Sequence, residues 1–152
     1  MMKQLKLLGR DEHGTSVIEL ALVAPILAGL TVGMVDLSNA YSTKLNAEQA
    51  AQSAIEKVFQ KSADTTVVNT LVSEASSLAG VPASNVTTDS WVECDGTRQA
   101  NYTDTCSGGQ DEARYLSVTV VATYTPMFPI TYGATNANGD YEFSGVAAIR
   151  TS

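Results

Sequence analysis

Histidine is almost missing from this chain. Of its 152 residues only His13 carries an imidazole, and it lies in a short polar stretch ahead of a long apolar run. If that leader is removed, the remainder has no histidine. Ser-His-Asp and Cys-His catalysis and every histidine-ligated metal site are then excluded. Basic residues are also scarce: nine Lys and Arg stand against sixteen Asp and Glu, for a formal charge of −7. Six scattered basic residues after the leader give no electrostatic footprint for nucleic acid. The same acidity opposes binding to an anionic membrane surface and suits a solvated outer domain. An enzyme would have to work with carboxylates, serines and lysines alone, and no constellation of that kind is present, so the chain reads as non-enzymatic and without a cofactor. No internal repeat is found. The length allows one modest folded domain beside a membrane segment.

What is present is a membrane-type run. From Leu20 to Val35 no residue is charged. Val17 and Ile18 extend the run to near 20 residues, interrupted only by Glu19. At ~1.5 Å per residue that is about enough to cross a ~30 Å hydrocarbon core. Lys3, Lys6 and Arg10 precede it, and the next basic residues are Lys44 and Lys57. The positive-inside rule puts the N-terminus in the cytoplasm and the C-terminus outside. A secretory signal peptide is the main competitor. Its apolar region would be too long, it is broken by Pro25, and the helical pattern continues past the small residues Ser38-Asn39-Ala40. Pro25 removes a helical hydrogen bond and loosens the helix locally, though membrane helices tolerate proline. Gly29 and Gly33 form a G-x-x-x-G pair, which permits a close neighbour and is also common by chance. Asp36 marks the far boundary.

A carboxylate at the mouth of a membrane helix is expensive and calls for a functional reason. Here Glu19 follows Gly14 by five positions. The order of leader, glycine, glutamate at the fifth position and long apolar helix resembles a prepilin. The wider string Gly14-Thr15-Ser16-Val17-Ile18-Glu19-Leu20-Ala21-Leu22-Val23-Ala24-Pro25-Ile26-Leu27, running on to Gly33-Met34-Val35-Asp36-Leu37, resembles the TadE-like minor pilins (pseudopilins) of the tight-adherence, or Tad/Flp, pilus system. The resemblance covers roughly residues 10 to 45. It implies that a prepilin peptidase cuts after Gly14 and frees the α-amine of Thr15. It implies that Glu19 pairs with the new amine of a neighbouring subunit, and that Pro25 is a place where the helix yields during assembly. The implied partners are that peptidase, a major Flp-type pilin, other minor pilins and an inner-membrane Tad assembly platform with its cytoplasmic ATPase. The implied location is the bacterial inner membrane, single-pass, with the C-terminus in the periplasm or carried into an extracellular fibre. Short length favours the TadE-like group over the larger TadG-like proteins. The alternative is a membrane-anchored periplasmic binding module that never enters a fibre.

The rest of the chain reads as α+β. Leu37, Ala40, Tyr41 and Leu45, then Ala47, Ala51, Ala54, Ile55 and Val58, recur at helical spacing. With no glycine or proline over residues 34–61, the helix is expected to run from about Thr15 to Lys61. Asp64-Thr65-Thr66 reads as a cap for a second helix carrying Val68, Leu71, Val72, Ala75, Leu78 and Ala79, stopped by Gly80 and Pro82. Val86 to Cys94 is strand-like. Leu116, Val118, Val120, Ala122 and Tyr124 alternate with polar or smaller residues as a half-buried strand, closed by Pro126 and Pro129. Asn138-Gly139 signals a turn into Tyr141, Phe143, Ala147 and Ile149. About three antiparallel strands against the long helix are expected. The expected divisions are a leader at 1–14, a transmembrane helix at 15–36, its exported continuation at 37–63 and a periplasmic α+β domain at 64–152.

Cys94 and Cys106 enclose a short polar loop. An even pair fits a disulfide in an oxidising compartment, worth roughly 3 kcal/mol in the chain-entropy model; two unrelated free thiols are the rival reading. Asp95, Asp104, Asp111 and Glu112 crowd this loop and are of the type that holds Ca²⁺, but they lack EF-hand spacing, and no metal is expected. Asn85-Val86-Thr87 and Asn101-Tyr102-Thr103 match the glycosylation triplet, which carries little weight in a bacterial-type chain.

Overall fold

The computed structural model describes residues 13–61, 67–127, 133 and 136–151. The expected leader over 1–12, the cap at Asp64-Thr65-Thr66, the side chains of Val58 and Val68, and Pro129 lie outside the described residues. Contacts divide the chain into two units that meet at Ser38 and Asn39.

The first unit is the leading part of helix α1 (His13–Lys61). Its side chains from Ser16 to Thr31 are all exposed, apolar ones included. Pro25 lies inside the helix and deprives the Ala21 carbonyl of its usual donor four residues on. Thr31 hides its hydroxyl by donating to the Leu27 carbonyl at 2.8 Å, so the apolar surface carries no loose polar group there.

The second unit contains the rest of α1, helix α2 (Val67–Ala79), a short 3₁₀ turn (Ala83–Asn85) and one sheet. Here α1 buries Ala47, Ala50, Ala51, Ala54 and Ile55. The expected alanine stripe is thus a core face. Helix α2 buries Leu71 and Ala75 and half-buries Val72 and Ala79. It ends as its sequence predicts: Gly80 takes φ +67, and the Val81 amide reaches back to the Ser76 carbonyl at 3.1 Å. Lys57 of α1 and Glu74 of α2 form an ion pair between the helices.

The sheet has strands β1 (Val86–Cys94), β2 (Thr97–Arg98), β3 (Glu112–Tyr124) and β4 (Tyr141–Arg150) in the order β2-β1-β3-β4, with every pairing antiparallel. Val118, Val120 and Ala122 turn their side chains to the helices and are buried, with Leu116 beside them, as the alternation requires. Facing residues register as Val86 with Val120, Leu116 with Ile149 and Val118 with Ala147.

The expected three strands become four. The extra one is the two-residue β2, folded back by Asp95-Gly96, whose φ values of +47 and +76 are those of a two-residue hairpin turn. A strand this short has no periodicity to read. Strand β3 also begins at Glu112, four residues before its alternating apolar run, because Ala113, Arg114 and Tyr115 pair with β1 through backbone groups.

The inner face of β4 carries Gly145, and α1 passes directly over it. A Cβ built on Gly145 would lie 2.3 Å from the Ala47 carbonyl carbon and 2.4 Å from the Glu48 nitrogen. Helix backbone therefore rests against strand backbone. The alanines on this face of α1 and the missing side chain on β4 are two halves of one contact.

Candidate functional site

The residues that the sequence points to for processing and assembly lie in the leading part of α1. Gly14 and Thr15 are helical, within α1 as described over His13–Lys61. Glu19 lies one turn further on and is exposed between Ile18 and Leu20, which are exposed too. A carboxylate on a membrane-type helix is costly unless it has an interfacial position or a cationic partner. Pro25, Gly29 and Gly33 follow along the same helix. A Cβ at Gly29 or at Gly33 would meet nothing within 4 Å. Neither glycine is required by packing within the described chain.

The second cluster surrounds the cysteines. Cys94, the last residue of β1, is bonded to Cys106, with their Cα atoms 5.5 Å apart. Arg114 on β3 organises the loop between them. Its guanidinium donates to the Tyr102 carbonyl at 2.6 Å and the Asp104 carbonyl at 3.4 Å, pairs with Glu112 at 2.8 Å, and stands over the Tyr102 ring at 5.1 Å. Glu112 in turn accepts from the Cys106 amide at 3.5 Å. Two other carboxylates accept backbone amides of the loop. Asp95 accepts the Asp111 amide at 2.9 Å, and Asp104 accepts the Asn101 amide at 2.9 Å. Asp95, Asp104, Asp111 and Glu112 do not converge, and no group of three or more metal-ligating side chains occurs among the described residues.

Two further features escape pattern reading. On the sheet face away from the helices, Trp91 stacks on Tyr115 with ring centres 5.2 Å apart, and Arg98 lies over Trp91 at 4.7 Å. Arg98 also pairs with Asp89 at 2.8 Å, and the Trp91 indole donates to Glu93 at 2.8 Å. These residues come from three strands, so no local spacing announces them. Arg114 gave no signal either, since it lies ahead of the alternating run that marks β3.

Among the described residues one helix, near the N-terminus, is long and apolar enough to cross a membrane, and its window is not buried inside the protein. Joined to an α+β unit, it defines a chain with single-pass membrane anchoring. Residues 14–55 match the model of the TadE-like protein family. The match opens on Gly14 and closes on Ile55, a residue α1 buries in the core. No curated protein and no solved structure matches the chain.

Proposed function

We propose that the protein is a minor pilin, or pseudopilin, that acts in initiating or assembling a Tad-type (type IVc) pilus used for adhesion. In this reading it enters the inner membrane as a precursor with its C-terminal domain in the periplasm. A prepilin peptidase removes the leader after Gly14, and the subunit then works beside a major Flp-type pilin, other minor pilins and the assembly platform. The observation that carries the reading is the family match beginning on Gly14, with Glu19 five residues later at the head of an exposed apolar helix. The chemistry is coherent. Cleavage creates the Thr15 ammonium, and that charge and the Glu19 carboxylate, each costly in lipid, relieve one another across neighbouring subunits. A subunit lacking either charge leaves the other unpaired.

Mass spectrometry of protein from its native host tests the proposal. The expected N-terminus is Thr15. An intact Met1 or Met2 terminus in assembled material overturns it. Gly14→Val should leave full-length precursor in the membrane, because a side chain there obstructs the approach of the peptidase to the bond. The alternative, a permanently anchored periplasmic binding module, has no use for this cleavage and is eliminated if it occurs.

A further inference from the structure

The two cysteines have unlike neighbours along the chain. Cys94 is flanked by Glu93 and Asp95, whereas Cys106 lies between Thr105 and Ser107, followed by Gly108 and Gly109. Folding encloses their bond. Cys94 is 5% exposed, and its place on β1 is paired with Thr97 of β2 on one side and Glu112 of β3 on the other. Cys106 is half-buried, with its Sγ 3.7 Å from the Glu93 carbonyl and its amide donating to Glu112. Carboxylates therefore occupy the positions before, after and opposite Cys94.

A disulfide forms by attack of a thiolate on another disulfide, and the rate depends on access to the sulfurs. With Cys94 buried between two strands, the exchange belongs to a chain in which β1, β2 and β3 have not yet closed. In that open chain only the sequence neighbours count. An anion beside Glu93 and Asp95 is opposed by two like charges, and an anion at Cys106 by none. We infer that Cys106 is the sulfur that attacks the disulfide of an exported protein oxidant, and that Cys94 then displaces that oxidant to close the loop. The inference rests on the reading that carries the C-terminal domain into the periplasm. That compartment is kept oxidising by a dedicated protein oxidant rather than by a buffer of small thiols, which makes a protein the partner.

The exchange balances in two steps. The Cys106 thiolate attacks one sulfur of the oxidant's disulfide and expels the other as a thiolate. The Cys94 thiolate then attacks Cys106 Sγ and expels the oxidant's remaining sulfur. The chain loses two electrons and two protons, and the oxidant leaves as a dithiol. The second step is intramolecular over a separation of 12 residues. A loop of about that length closes in roughly 10–100 ns, so Cys94 is presented to the mixed disulfide repeatedly despite its charged neighbours. The intermediate therefore stays scarce in the parent chain and accumulates only when Cys94 is absent. Once β3 pairs with β1, Cys94 is enclosed and the bond is shielded from further exchange.

Trapping the mixed disulfide tests the inference on the full chain in a bacterial host. Cells making Cys94→Ser or Cys106→Ser would be pulse-labelled, quenched in acid, blocked with a thiol reagent and run without reductant. The adduct precedes folding, so the readout does not require either variant to reach its native state. The expected result is a protein-sized, reductant-sensitive adduct on Cys106 in Cys94→Ser, several-fold more abundant than the adduct on Cys94 in Cys106→Ser. Adding Glu93→Gln and Asp95→Asn to Cys106→Ser should raise the Cys94 adduct several-fold; asparagine suits the φ of +47 at position 95 and keeps an acceptor for the Asp111 amide. Equal adducts in the two single variants, a larger adduct on Cys94, an adduct with a small thiol alone, no adduct in either, or no rise on neutralising the two carboxylates would each overturn the inference. The N-terminus at Thr15 is read in the native host independently of these adducts, so the two readings fail separately.

Discussion

Replacing Gly145 with alanine should damage the fold, although local preference argues the opposite. Gly145 lies in strand β4, and its φ is not among the positive values found in the chain. Alanine therefore fits the backbone, and by conformational entropy alone it should stabilise the strand by roughly 0.5–1 kcal/mol. The new methyl, however, would sit 2.3–2.4 Å from the carbonyl of Ala47 and the nitrogen of Glu48. Ordinary contact begins near 3.4 Å, so α1 must withdraw by about 1 Å. No side chain can swing aside, because the obstacle is helix backbone. A radial gap of 0.5–1 Å forfeits a quarter to a half of each dispersion contact across it, and overpacking typically costs about 1–3 kcal/mol. Ala47, Ala51, Ala54 and Ile55 all share that interface. The cost should reach about 3 kcal/mol, well beyond the propensity gain. At ~4 °C or more per kcal/mol, the second unit should melt at least about 10 °C lower. Thermal unfolding of the full chain in detergent, followed by the fluorescence of Trp91, the sole tryptophan, would measure this. Ala47→Gly should not rescue the variant, because the clash is with backbone and not with the alanine methyl. The exposed neighbour Val146→Ala should change little. If Gly145→Ala melts within about 2 °C of the parent, the close approach of α1 to β4 is wrong.

Three further experiments have expected outcomes. Glu19→Leu removes a costly carboxylate from the membrane helix, so insertion, protein level and cleavage after Gly14 should be normal while pili or adhesion fall; wild-type assembly would refute charge pairing, and loss of the protein from the membrane would point to a folding or processing role. Thiol labelling of unreduced exported protein should leave Cys94 and Cys106 unmodified, and Cys94→Ser with Cys106→Ser should cost about 3 kcal/mol. In that background Arg114→Ala should make the loop at 95–111 far more sensitive to protease, because the guanidinium holds the Tyr102 and Asp104 carbonyls, while an unchanged cleavage rate would deny Arg114 that role.

Properties written in neighbouring residues were legible without coordinates. The apolar run, Glu19 five positions after Gly14, and the spacing of Ala47, Ala51, Ala54 and Ile55 are local patterns. A helix converts such patterns directly into one face or one terminus. The alternation from Leu116 to Ala122 identified the buried face of β3 in the same way. The end of α2 at Gly80 was equally local, since the αL cap needs only that one residue. None of this says which surfaces meet. The contact of Ala47 with Gly145 joins residues almost a hundred positions apart, and Gly145 alone reads as an ordinary weak strand position. The hairpin at Asp95-Gly96 makes a strand too short to have a period. Arg114 acquires its partners only when β3 brings it beside the loop that the disulfide closes. The acidic residues near the cysteines look like a cation site as a list, but in the fold Asp95 and Asp104 accept loop amides and Glu112 pairs with Arg114. Local periodicity arises from backbone geometry within a few residues, whereas these pairings depend on how the chain closes on itself, and only the folded arrangement specifies that.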